Sequence, residues 1–280
     1  MKGLAIESGG GGRIDVGYRT PGLSKVLDAR GKMELARELG MTVVEPQLVE
    51  REFASIDDAH AMAEATRAVG VRIASVGCEM PLTIPGATAE LDERIEFALR
   101  HAQVLGATYV FSRVMAQPEG VDQRTAWRLL ATNGRRVADR LGERGIKWAI
   151  EADPPCFVHT LERQRRALAE IAHENCYPNF DPTNLYVAGS EPLDAVAEYG
   201  TRIVSGHIKD GYFASVKRHG EMPVGKGELD YEAIFARMLE RGVRATMFIE
   251  HCNAPDQVRT AAAHIADVIE RVRQRIVIPA

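Results

Sequence analysis

The stretch Phe248-Ile249-Glu250-His251 lies near the C-terminus, where a short apolar run ends on a carboxylate. Three earlier stretches end alike: Trp148-Ala149-Ile150-Glu151, Tyr177-Pro178-Asn179-Phe180-Asp181 and Ile203-Val204-Ser205-Gly206-His207. A parallel strand covered on both faces reads as a short apolar run rather than as an alternation. When such a run finishes on Glu, Asp or His, it delivers a ligand-type side chain to one edge of a sheet. Four deliveries of this kind point to a metal site.

Outward from these four, strand-like runs lie at 3–7, 42–45, 71–78, 107–112, 146–151, 177–181, 202–207 and 245–250. Helical patterns separate them. Leu91, Ile95, Ala98, Ala102 and Leu105 make an apolar stripe at helical spacing. So do Tyr231, Ile234, Phe235, Met238 and Leu239, and again Val258, Ala262, Ile265, Ile269 and Val272. Weaker patterns cover 24–39, 55–69, 121–144, 159–174 and 192–199, and several helices stop at a glycine before the next strand. Eight strands alternating with eight helices predict an α/β fold, a (β/α)8 TIM barrel forming a single domain over residues 1–280. The alternative, an open doubly wound sheet, calls for a Gly-rich fingerprint that turns into a helix after the first strand. Ser8-Gly9-Gly10-Gly11-Gly12-Arg13 runs instead into Ile14-Asp15-Val16 and Pro21, and reads as a mobile loop.

The composition is ordinary for a soluble globular protein, 45% hydrophobic and 26% charged. A net charge of −4 argues against a nucleic-acid partner, which selects for a basic excess. No stretch approaches the length of an apolar membrane span, so no membrane partner is expected. Cys78, Cys156, Cys176 and Cys252 show no CxxC pairing, and the N-terminal residues lack an apolar signal-like core. A cytoplasmic location is the expectation. A barrel of this size can be the protomer of a homo-oligomer, although no sequence feature specifies one.

In a barrel, the ends of the strands and the loops that follow them build one functional face. Glu151, Asp181, His207 and Glu250 are therefore expected to converge. Three oxygen donors and one imidazole suit one divalent metal ion, Mn2+ first, with Mg2+, Co2+ and Zn2+ as alternatives. One acidic strand end is commonly just solvated. Four in consecutive strands are not.

These stretches, with Phe180-Asp181-Pro182-Thr183-Asn184, His207-Ile208-Lys209-Asp210 and Pro223-Val224-Gly225-Lys226-Gly227-Glu228-Leu229-Asp230-Tyr231, resemble the sugar phosphate isomerase/epimerase family, the xylose isomerase-like TIM barrels. The resemblance runs in order along the chain and is strongest from 146 to 250. It implies that Glu151, Asp181, His207 and Glu250 hold one divalent metal, and that Glu151 and Glu250 are the catalytic acid/base pair. A metal on a carbonyl and its neighbouring hydroxyl acidifies the C–H between them, giving an enediolate. One carboxylate removes the proton and the other returns one. Return to the opposite face epimerises, return to the neighbouring carbon isomerises, and loss of a β-hydroxyl dehydrates. The expected function is a metal-dependent isomerase or epimerase of carbohydrate metabolism, acting on a small carbohydrate or keto-polyol. A lyase of the inosose or 3-dehydroshikimate dehydratase type is the alternative.

Lys209, Asn184, Asp153 and Arg113 are the expected substrate contacts. Lys209 would neutralise an enediolate or bind a carboxylate, its other reading being a pair with Asp210. Arg113 would contact an anion or a hydroxyl. Asn184 stands where the family's ketose epimerases have His, and Asp153 where His is common, so both set this chain apart from the tagatose/psicose epimerase pattern. Asn184 is otherwise a turn residue and Asp153 a loop cap. Glu45 and Glu79 read as solvated rim, with hydroxyl contact as the alternative. His251 and Cys252 read as loop packing, Trp148 as barrel core and Lys217-Arg218-His219 as a solvated basic loop. The three-metal apurinic endonucleases of the same fold need further His ligands after strands two and three, and this chain has none there.

Overall fold

The computed structural model describes residues 4–215 and 221–277, so the basic loop Lys217-Arg218-His219 lies outside the described residues. In chain order the elements are β1 (Ala5–Glu7), β2 (Arg13–Arg19), α1 (Ala29–Glu38), β3 (Val43–Glu45), α2 (Ile56–Val69), β4 (Arg72–Ile73), β5 (Ser75–Gly77) and α3 (Thr88–Leu105). Then come β6 (Tyr109–Arg113), α4 (Gln123–Gly142), β7 (Lys147–Glu151), α5 (Leu161–Ile171), β8 (Cys176–Phe180), α6 (Pro182–Val187) and α7 (Pro192–Tyr199). The chain finishes with β9 (Ser205–Ile208), β10 (Asp210–Gly211), β11 (Glu221–Met222), α8 (Tyr231–Glu240), β12 (Arg244–Ile249) and α9 (Pro255–Val277).

Parallel pairing runs in the order β4-β3-β2-β12-β9-β8-β7-β6-β5. The segments β4 and β5 are halves of one strand, broken at Ala74, whose carbonyl accepts from the Thr108 N–H at 3.1 Å. Pairing crosses that break, because Gly77 N donates to Pro46 O at 2.9 Å and Leu48 N to Gly77 O at 2.7 Å. The sheet thus closes almost completely into an α/β TIM barrel, as the alternation predicts.

One expectation fails at the start of the chain. The first barrel strand is β2, not the run at 3–7. Segment β1 only lies antiparallel on β2, with Ala5 opposite Asp15 and Glu7 opposite Arg13. The strand β2 is long enough to pair with both β3 and β12, and it buries Ile14, Val16 and Tyr18. Gly17 lets it come close to β3, since a Cβ there would sit 2.2 Å from the Val43 carbonyl oxygen. The glycine run is the hairpin turn between β1 and β2, closed by Ser8 N to Gly12 O at 2.9 Å with Gly11 at φ +85. It is a built turn rather than a mobile loop.

Helix starts follow local chemistry. Asp28, Asp122, Thr160 and Asp230 each accept from a backbone N–H in the first turn of α1, α4, α5 and α8. Trp148 is core, fully buried with its indole N–H donating to Ser112 Oγ at 3.1 Å. Inside the ring, the Phe111 ring meets His207 edge-on at 4.8 Å and carries the Arg19 guanidinium at 5.0 Å. Phe111 thus packs against two of the polar groups at the functional end. No described helix is long and apolar enough to cross a membrane.

Candidate active site

Glu151 ends β7, Asp181 follows β8, His207 lies in β9 and Glu250 follows β12. All four are buried, and one ligand-type atom from each lies within 4.8 Å of the others. His207 Nδ1 is 3.2 Å from Glu151 Oε1 and 3.8 Å from Asp181 Oδ2. Convergence comes from the parallel register, because strands that run the same way end at the same rim.

A second set of residues holds the first in place. Asn184 Nδ2 donates to Glu151 Oε1 at 2.9 Å, and its backbone N–H donates to Asp181 Oδ1 at 2.8 Å. Asn184 is thus fully buried behind Glu151, with its amide nitrogen already engaged. Asn179 Nδ2 lies 3.4 Å from both Glu151 Oε2 and His207 Nδ1. Glu45 Oε1 is 2.9 Å from His207 Nε2, which leaves Nδ1 to face the carboxylates. Glu45 is 0% exposed, so it belongs to the centre and not to a solvated rim. Arg19 joins the two groups, with Nη1 2.7 Å from Glu250 Oε2 and Nε 2.9 Å from Glu45 Oε1. Its other nitrogen donates to Gln47 Oε1 at 3.0 Å.

Lys209 extends its ammonium to Asp181 Oδ2 at 2.9 Å and to Glu250 Oε1. Its backbone is fixed by Tyr231, whose hydroxyl donates to Lys209 O at 2.6 Å, and by Thr183 Oγ1 at 2.9 Å. Asp210 does other work. Its carboxylate accepts from the N–H groups of Gly211, Gly225 and Leu229 and so ties down the segment before α8.

The electrostatics follow from burial and crowding. Burial pushes Asp181 up to about 6, against the pull of Lys209 and with help from Glu151 and Glu250. Burial alone would lower His207, yet Glu151, Glu250 and Glu45 raise it well above its ordinary value. Burial would raise Glu250, but Lys209, His207 and Arg19 hold it well below the usual carboxylate range. Four carboxylates, at Glu45, Glu151, Asp181 and Glu250, face two permanent cations, Arg19 and Lys209. With His207 neutral, as a metal ligand must be, two negative charges are left over; with no cation present, the carboxylates instead favour the protonated imidazole. Buried charge without compensation is costly, so the donor set fits one divalent cation.

A cleft of about 330 Å³ opens onto this centre, walled by Arg19, Gln47, Arg113, Asp153, Lys209 and His251 among others. Arg113 reaches Glu79 Oε1 at 2.7 Å and Asp153 Oδ2 at 2.9 Å. Burial raises the Asp153 carboxyl, while Lys209 and Arg113 draw it down. His251 lies in the cleft wall at φ +60, while Cys252 packs inside. Arg19, Gln47 and Asn179 lie outside the site residues expected from the sequence. The alternation Ile14, Val16, Tyr18 ending on Arg19 was the signal for the first of them.

The family of xylose isomerase-like TIM barrels matches residues 33–268. The chain belongs to that family. Among its xylose isomerase-like relatives is a Homo sapiens protein named for hydroxypyruvate isomerase activity, 23% identical over 217 residues, spanning 71% of this chain and 76% of the relative. An inosose dehydratase from Clostridium botulinum is 22% identical over 138 residues, spanning 44% of this chain and 46% of the relative. The solved structure of the IolI protein with a bound zinc atom shares the fold, with a TM-score of 0.75 at 15% identity over 94% of this chain and 98% of that one. Relatives in this xylose isomerase-like group are enzymes, and they include both an isomerase and a dehydratase.

Proposed function

We propose that this protein is a divalent-metal-dependent isomerase or epimerase that enolises a small carbohydrate or keto-polyol. The observation that carries this reading is the pair Glu151 and Glu250, two buried carboxylates on strands three apart in the ring, meeting at one centre. Glu151, Asp181, His207 and Glu250 would hold the ion, with Mn2+ the first choice and Mg2+, Co2+ or Zn2+ as alternatives; the zinc in IolI supports a divalent site on this scaffold. The ion supplies Lewis-acid stabilisation of negative charge on neighbouring substrate oxygens.

The remaining chemistry belongs to the chain. One carboxylate of the pair takes the proton from the carbon beside the carbonyl, and the C–H electrons move onto the carbonyl oxygen. Lys209, held rigidly at its backbone, presents its ammonium to that oxygen. The second carboxylate returns a proton from the other side. Asn184 and Asn179 aim Glu151, and Arg19 aims Glu250. Asn184 acts on substrate through Glu151 rather than by touching it. Arg113 and Asp153 supply hydroxyl contacts in the outer wall. The acidic centre is read as a small-molecule site and not as a nucleic-acid surface.

Dehydration is a second reading because one relative is named an inosose dehydratase, and loss of a β-hydroxyl from the same enediolate would give that outcome. Incubation with keto-sugars, inososes and keto-acids in D2O with Mn2+ tests both. Deuterium at the carbon beside the carbonyl with mass otherwise retained is expected; deuterium with loss of water selects the lyase. No uptake from any substrate overturns the enolising mechanism.

A further inference from the structure

Arg113 ends β6 in the cleft wall, where an arginine would ordinarily serve as an anchor for a carboxylate or phosphate. Here two side chains already hold it. Glu79 grips the residue at both ends, accepting from the Arg113 backbone N–H at 3.1 Å and from Nε at 2.7 Å. Asp153 takes Nη1 at 2.9 Å. Cys156 stands next to Asp153, its Sγ 3.7 Å from Oδ2; burial pushes its thiol up to about 12, so it adds no charge. The other Arg and Lys side chains that line the cleft are in the same position. Arg19 lies between Glu45 and Glu250, and Lys209 between Asp181 and Glu250. Among the described residues, six carboxylates therefore face three Arg and Lys side chains, and with His207 neutral as a ligand a divalent ion would leave one negative charge in excess. An anionic ligand that reached the remaining N–H groups of Arg113 would enter a negative field beside Glu79 and Asp153. A hydroxyl group can donate to Asp153 and accept from Arg113 without breaking either.

We propose that Glu79 and Asp153 set the specificity of this cleft by neutralising Arg113, so that the substrate is an uncharged keto-polyol and not a keto acid or a sugar phosphate. This rests on the enolising reading for the identity of the reaction, but the charge preference stands on the Arg113 geometry alone. It separates this chain from a hydroxypyruvate isomerase, whose named substrate is a carboxylate, and brings it nearer to enzymes of uncharged ring ketones such as inososes.

A matched ligand pair reads the charge preference directly. D-glucitol and D-gluconate differ only in an alcohol against a carboxylate at one carbon, and their binding to the Mn2+-loaded protein is measured by calorimetry. Glu79→Gln and Asp153→Asn each release one partner of Arg113. Each is expected to tighten gluconate relative to glucitol at least about fivefold, and Glu79→Gln, whose side chain does not line the cleft, should change glucitol itself less than about twofold. Either variant suffices if the other fails to fold by circular dichroism. No gain for gluconate in a folded variant overturns the proposal. In the D2O assay, exchange into inososes or ketohexoses without exchange into hydroxypyruvate or 3-dehydroshikimate is expected. Comparable exchange into the keto acids overturns the charge selectivity and leaves the enolising mechanism standing. Exchange into none overturns the mechanism, while the gluconate ratio still decides the charge preference.

Discussion

Glu151, Asp181, His207 and Glu250, at or next to the ends of β7, β8, β9 and β12, face a common centre. The other half of the ring ends differently. There β2, β3 and β6 finish on Arg19, Glu45 and Arg113, and Glu79 follows β5; these groups face one another or the backs of the first set. One half offers a group that could hold a metal, and the other pairs with its imidazole and carboxylates. A ligand set alone would place His207 and Glu250 without fixing which atoms point inward. Glu45 on His207 Nε2 and Arg19 on Glu250 Oε2 supply that orientation.

Substitutions can break this division of labour. Glu151→Gln or Glu250→Gln is expected to reduce solvent-deuterium exchange by about 10²–10⁴-fold while a cooperative melt is retained; normal exchange by either variant would remove the acid/base pair from the account. In the same half, His207→Ala should weaken divalent-metal binding, read by equilibrium dialysis, by about 100-fold or more. Across the ring, Glu45→Ala should weaken it by about 10–100-fold although Glu45 is not a ligand. An unchanged affinity in Glu45→Ala would make the second half a bystander.

Arg19→Leu sharpens the comparison further. It leaves Glu45 and Glu250 without their shared cation, so denaturant unfolding of the metal-free protein should lose about 3 kcal/mol. Adding Mn2+ should recover part of the loss, because a second cation reaches the same carboxylates. A loss that metal leaves untouched would point to packing on Phe111 instead. The smallest effect is expected for Asn184→Ala, which removes one hydrogen bond to Glu151: exchange should slow by about tenfold with metal affinity nearly unchanged. Equal losses in both would make Asn184 a support for the ion rather than for the base.

The convergence of the first half is legible because each of its four residues sits directly on or after an apolar run, and parallel strands bring such ends together whatever the intervening loops. That of the counter-charge half is not. Arg19 is 231 residues from Glu250 in the chain, and nothing local marks the two as partners. Glu45 looked like a rim residue because the short run before it gives no sign that His207 will close over it. The first strand was misplaced for a related reason. Both β1 and β2 are extended and partly apolar, and only pairing to β3 and β12 shows which one belongs to the ring. Spacing along the chain relates Asn184 to Asp181, but the turn of α6 carries its side chain back onto Glu151.

The central claim is that the four strand ends hold one divalent ion, and the metal content of the reconstituted protein tests it most directly. After incubation with Mn2+ and removal of the excess, elemental analysis should find close to one equivalent per chain in the wild type, and much less in a folded Asp181→Asn, His207→Ala double variant. Less than about 0.2 equivalents in the wild type, or an equal content in the double variant, would contradict it.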